Sequence, residues 1–105
     1  MVRVRDRNGI PLIEVSGDVD VFSVDEVFTS VREAVTAGKP FVLSFEECSY
    51  CDSSGISSVI ALIKERQRFA IVANGTVRRV METTKLHTLV PVVSDVDEAL
   101  KRLQP

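Results

Sequence analysis

Valines at positions 2 and 4 alternate with arginines at 3, 5 and 7, the period of a strand with one buried face. Asn8-Gly9 follows, a pair that accepts the positive φ angles of a two-residue hairpin turn. Leu12, Ile13 and Val15 predict the returning strand, ending at Gly17 and antiparallel to the first. The period then changes. Val24, Val27, Phe28, Val31, Ala34 and Val35 recur at helical spacing. Ser23 and Glu26 have the spacing of a capping box at the start of that helix, and Gly38 and Pro40 stop it.

Phe41 to Phe45 is a short apolar run, predicted as a central strand, and Glu46 to Asp52 reads as a loop. A second helix is expected from about Ser54 to Arg66, burying Ile56, Val59, Ile60 and Ile63. Phe69 to Val72 is another buried strand. Asn74-Gly75-Thr76 turns into a third helix carrying Val77, Val80 and Met81. Leu89 to Val93 predicts a last strand, placed at an edge because Pro91 lacks an N–H for the ladder. Ser94 is the expected cap of a final helix with Val96, Ala99, Leu100 and Leu103.

The order ββαβαβαβα predicts one α/β domain over residues 1–105, with about five strands in a mixed, mostly parallel sheet and four helices. Its crossovers are expected to be right-handed. Sites in such sheets lie at the carboxyl ends of strands, where helices begin. Function is therefore sought first between Glu46 and Ser58.

Composition narrows the classes. Hydrophobic residues make up 45%, enough for a core without disulfides or a metal. No apolar run approaches the roughly 20 residues of a membrane span, and Met1 to Asp6 lacks the apolar region of a signal peptide. A cytoplasmic protein without a membrane partner is expected. The net charge is −2 with both signs interspersed, and aromatics are 6% with no Trp. Direct nucleic-acid binding, which needs a basic face and stacking platforms, is not expected.

Asp52-Ser53-Ser54-Gly55 joins a polar loop to a helix start. Each of the first three side chains can accept a hydrogen bond from free N–H groups of the first turn. Gly55 leaves space where a partner could approach. On the residues alone, the plain reading is a helix cap. The run Phe45 to Ile56 also resembles the signature of the anti-sigma factor antagonists, single-domain STAS proteins in which Asp-Ser-Ser-Gly-Leu opens a helix. Ser16-Gly17-Asp18-Val19-Asp20 is similar to the family's Gly-x-x-Asp, Val77 to Glu82 to its third helix, and Asp95 to Leu103 to its last. Two connections depart from the pattern. Lys64 to Arg68 runs into Phe69 without the usual glycine turn, and Lys85-Leu86 stands where Gly-Leu is usual.

The resemblance implies a binding protein, not an enzyme, with no cofactor. Ser53 is then the residue phosphorylated by a partner that is both an anti-sigma factor and a serine kinase. The unmodified protein binds that partner and releases a sigma factor, and a phosphatase resets the modified one. Asp20 and Asp52 match acidic positions near the phosphorylation site. Asp20, Asp52, Ser53, Ser54, Gly55 and Ile56 are the expected docking face. Ser54 is the rival for modification, with Ser57 and Ser58 further into the helix. The lack of a second domain favours a stand-alone antagonist over a STAS scaffold subunit of a sensory complex.

Other constellations compete. Cys48-Ser49-Tyr50-Cys51 is a C-x-x-C, which can signal thiol redox chemistry. Both cysteines precede the helix start and Asp52 is adjacent, which would raise a thiol pKa; buried, inert thiols are expected. Zinc needs about four ligands, and two cysteines with the single His87 fall short. Gly55-Ile56-Ser57-Ser58-Val59 begins like a nucleophile elbow but lacks the final glycine. His87, the one candidate base, is read as surface. Arg78-Arg79 is read as a solvated helix face. Lys64, Arg66 and Arg68 are read as surface that can border an interface.

Overall fold

Asn8 and Gly9 both take positive φ, 56° and 83°. The turn they make folds β1 (Val2–Arg7) onto β2 (Ile10–Val19) as the expected antiparallel hairpin. The computed structural model describes residues 1–104. After the hairpin come α1 (Val24–Ala34), β3 (Phe41–Cys51), α2 (Ser53–Lys64), β4 (Phe69–Val72), α3 (Gly75–Thr83), β5 (Val92–Val93) and α4 (Val96–Leu103). The strands lie in the order β1-β2-β3-β4-β5, and every pairing after the first is parallel. The anticipated mixed sheet and four helices are all present.

Alternate strand positions face opposite sides. Ile13, Leu43 and Ile71 lie side by side in register and pack in one cluster with Val27, Val59, Leu62 and Met81 of α1 to α3. Phe41 stacks on Phe69 in the same cluster, centroids 5.0 Å apart. Leu12, Val42 and Ala70 face the other way, against Ala99, Leu100 and Leu103 of α4. Where the β1–β2 hairpin shows that second side, it is polar. Glu14 receives Arg3 at 3.2 Å and Arg5 at 3.0 Å. Among the described residues, no helix is long and apolar enough to cross a membrane.

Several boundaries differ from expectation. The stretch 46–51 is strand, not loop, and β2 continues past Gly17 to pair with it up to Val19 and Cys51. The register slips twice, so that β2 residues 14, 16 and 18 meet β3 residues 44, 47 and 50. An extra β3 residue at each step destroys the two-residue alternation that marks a strand in sequence. α2 starts at Ser53 and stops at Lys64, and Leu62 is its deep contact, while Ile60 and Ile63 are only partly buried. The last strand shortens to Val92–Val93 at the sheet edge, after a 3₁₀ turn at Leu86–Thr88.

Two caps also differ: Ser23 stands at the expected cap position of α1, and the α4 cap shifts by one residue. Ser23 makes no cap bond to the helix; its backbone is already helical, because the chain enters α1 through a turn begun at Asp20. Asp95, not Ser94, caps α4, accepting from the Glu98 N–H at 2.8 Å. The Ser94 hydroxyl instead accepts from Arg78 at 2.6 Å.

Candidate functional site

Val19 and Cys51 are paired at the carboxyl ends of β2 and β3, and the Asp52 N–H closes onto the Val19 carbonyl at 3.0 Å. Asp52 then caps α2 from an extended backbone (φ −88°, ψ −172°). Its Oδ1 accepts from the N–H groups of Ser54 at 2.9 Å and Gly55 at 3.3 Å, and from the Ser54 hydroxyl at 2.5 Å. The Ser54 hydroxyl, followed by backbone N–H groups of Gly55, Ser54 and Val21, holds the Asp52 carboxyl below its ordinary value. Asp52 thus stays ionised at the helix start, where the dipole favours a negative charge.

Ser53 is the first residue of α2 and is exposed. Among the described residues, nothing hydrogen-bonds its hydroxyl, whereas the Ser54 hydroxyl is held by Asp52. Ser57 is exposed one turn further along, and the Ser58 hydroxyl is turned back to the Ser54 carbonyl at 3.1 Å. Asp52 and Ser54 are half-buried. Gly55 and Ile56 are buried. A Cβ on Gly55 would stand 2.5 Å from Cys51 Sγ and 2.9 Å from Val19 Cγ1. The space that glycine leaves is therefore filled from inside the molecule, not open to an approaching partner, and Ile56 serves the core.

Asp20 belongs to the neighbouring turn. Its Oδ1 accepts from the N–H groups of Phe22 at 3.0 Å and Ser23 at 3.1 Å, and the Ser23 hydroxyl bonds the Asp18 carbonyl at 3.0 Å. The residues between, Val21 and Phe22, are large, apolar and exposed, as is Tyr50 near the end of β3. No helical or strand period in the sequence marks these three positions. The available signal was two large apolar residues lying between acidic Asp20 and the helix start, outside the helical period.

Both cysteines are buried and unpaired. The Cys48 thiol donates to the Tyr50 carbonyl at 3.1 Å, and burial pushes its pKa up. Burial, then Cys48 and Asp52 nearby, push the Cys51 thiol up to about 12. A thiol held neutral is a poor nucleophile, so the redox alternative loses its chemistry. Exposed His87 follows the far end of α3, away from the carboxyl ends of the strands. Arg79 is the exposed arginine of α3; Arg78 reaches the Val92 carbonyl at 3.4 Å as well as Ser94. Lys64, Arg66 and Arg68 are all exposed, as expected, and the Arg68 guanidinium also donates to the Leu103 carbonyl. Among the described residues, no three His, Cys, Asp or Glu side chains gather to hold a metal ion.

The STAS domain family matches residues 1–99 of the chain. The fold is that of an anti-sigma factor antagonist from Mycobacterium paratuberculosis, with a TM-score of 0.91 and 22% identity over 100% of this chain and 94% of that one. It also matches the anti-sigma factor antagonist SpoIIAA in its unphosphorylated form, with a TM-score of 0.62 and 21% identity over 97% of this chain and 96% of that one. The Bacillus cell fate determinant SpoIIAA in its phosphorylated form matches with a TM-score of 0.62 and 20% identity, over 99% and 100% of the two chains.

Proposed function

We propose, from the premise that this chain belongs to the STAS domain family, that it is an anti-sigma factor antagonist switched by phosphorylation of Ser53. The unmodified chain binds an anti-sigma factor that is also a serine kinase, and so frees a sigma factor. The kinase passes the γ-phosphoryl group of ATP to the Ser53 oxygen; the hydroxyl proton leaves and ADP remains. A phosphatase hydrolyses the ester and restores binding. The chain acts in the cytoplasm as a binding partner and substrate, not as a catalyst.

One observation carries this reading. At the helix start the Ser53 hydroxyl is exposed and unengaged, while its neighbour Ser54 is committed to the Asp52 carboxylate. The helix dipole favours a negative phosphate there within the fold. The phosphate adds about −1.5 to −2 charges at pH 7, close to Asp52. Burying that charge under a partner costs several kcal/mol unless it is paired, enough to weaken binding about a hundredfold or more. Both the unphosphorylated and the phosphorylated form of SpoIIAA share this fold.

The test uses purified anti-sigma factor kinases of the same genome with ATP. Wild type and Ser54→Ala are expected to gain the mass of one phosphate and Ser53→Ala none. Ser53→Ala should keep its kinase in a pull-down and Ser53→Asp should lose it. Phosphate appearing on Ser53→Ala would move the site elsewhere.

A further inference from the structure

Phe22 leaves 95% of its surface in water, Val21 65% and Tyr50 50%. The phenyl ring contributes nothing to the core, yet its backbone is held firmly. The Asp20 carboxylate binds the N–H groups on both sides of the Phe22 carbonyl, and the Ser23 hydroxyl bonds back to Asp18. The Val21 N–H also faces Asp52, the residue that caps α2 beside Ser53. The aromatic turn and the capped helix start that carries Ser53 thus lie side by side. An aromatic side chain shown on a pre-ordered turn loses little further entropy when a partner covers it.

Charge says what covers it. Asp18, Asp20, Asp25 and Glu26 flank Phe22 along the chain, and Asp52 stands at the neighbouring helix start. Residues 18–31 and 45–58, the stretches that lead into and out of this rim, contain no lysine or arginine, and of the cations that β1 brings to this side the Met1 ammonium binds the Ser16 carbonyl at 3.0 Å and Arg3 pairs with Glu14 at 3.2 Å. We propose that Phe22 is the anchor and specificity-determining residue of the docking face. It enters an apolar pocket in the partner protein, and lysine or arginine side chains on the pocket's rim face those carboxylates. This rests on the antagonist reading above, which makes the occupant an anti-sigma factor kinase. Such a partner shows two different charges to the face. Its basic rim meets the acidic turn, while the nucleotide phosphates it must bring to Ser53 repel that serine once it is phosphorylated.

Calorimetric titration of purified anti-sigma factor kinases of the same genome tests this, using wild type, Phe22→Ala and Phe22→Gln at low and high NaCl. At least one kinase is expected to bind wild type. Both variants should bind it about 30-fold more weakly or worse, with urea midpoints unchanged because the ring packs against nothing. Raising NaCl should weaken wild-type binding. A kinase that binds the variants as tightly as wild type overturns the anchor and leaves the antagonist reading standing. Binding that ignores salt overturns the basic rim. If no kinase binds wild type, the antagonist reading fails and takes this inference with it.

Discussion

A side chain at position 55 has nowhere to go. The first turn of α2 is pressed so closely onto the ends of β2 and β3 that a Cβ there would meet Cys51 Sγ at 2.5 Å. Gly55→Ala is therefore expected to lower stability by about 1–3 kcal/mol, the usual range for overpacking, as read from urea unfolding. In a Cys51→Ala background the same change should cost less, since the two residues share the space. Cys51 also makes stability depend on pH. An unfolded thiol releases its proton near pH 8.5, but the folded one holds it to about 12. The unfolded chain thus binds fewer protons between those values. The thiol's contribution is complete below about pH 8.5 and is lost as pH rises toward 12. The urea midpoint should fall over that window, and fall less in Cys51→Ala. Asp52 works in the opposite direction. Its lowered pKa makes the cap complete above the ordinary carboxylate range and weakens it as pH falls through the lowered value.

At the scale of elements, β3 and the helix ends carry the departures from pattern. Burial along the second half of β3 recurs every third residue, at Phe45, Cys48 and Cys51. The register slips produce that spacing, and they carry β3 up to the site so that Asp52 leaves it directly into α2. The two connections without the family's glycines are solved by strained residues. Arg66 after α2 takes φ 61° and Lys85 after α3 takes φ 64°, the left-handed region. For an L-residue that conformation costs about 1–2 kcal/mol, while glycine brings a smaller entropic cost of roughly 0.5–1 kcal/mol. Lys85→Gly is thus expected to raise stability by up to about 1 kcal/mol in urea unfolding. A loss of stability would show that the Lys85 side chain does more for the turn than its backbone strain takes away.

Over the whole molecule, α1, α2 and α3 share one side of the sheet and α4 alone covers part of the other. The rim at the carboxyl ends of β2 and β3 stays open, and Ser53, Phe22 and their carboxylates lie on it. Because Ser53 is exposed at a helix start, phosphorylation is expected to leave the far-UV circular dichroism spectrum and the urea midpoint nearly unchanged while partner binding is lost. A phosphorylated chain that lost helical signal would mean that the switch acts by melting α2 instead.

The element order, the hairpin, the sheet type and the Asp-Ser-Ser-Gly helix start were legible in the sequence, because each rests on local chemistry: period, turn residues and cap residues. The fold class follows from their order alone. Position along the chain could not show which way Gly55 and Ile56 face, why Leu62 is buried more deeply than Ile60, or that residues 46–51 pair with β2. Those depend on where β2 lies relative to β3, a long-range pairing with slips that no local period records. Only the folded chain sets Phe22 beside the capped start of α2, since a carboxylate from one connection reaches the backbone of another, some thirty residues away in sequence, only after the strands between them have paired.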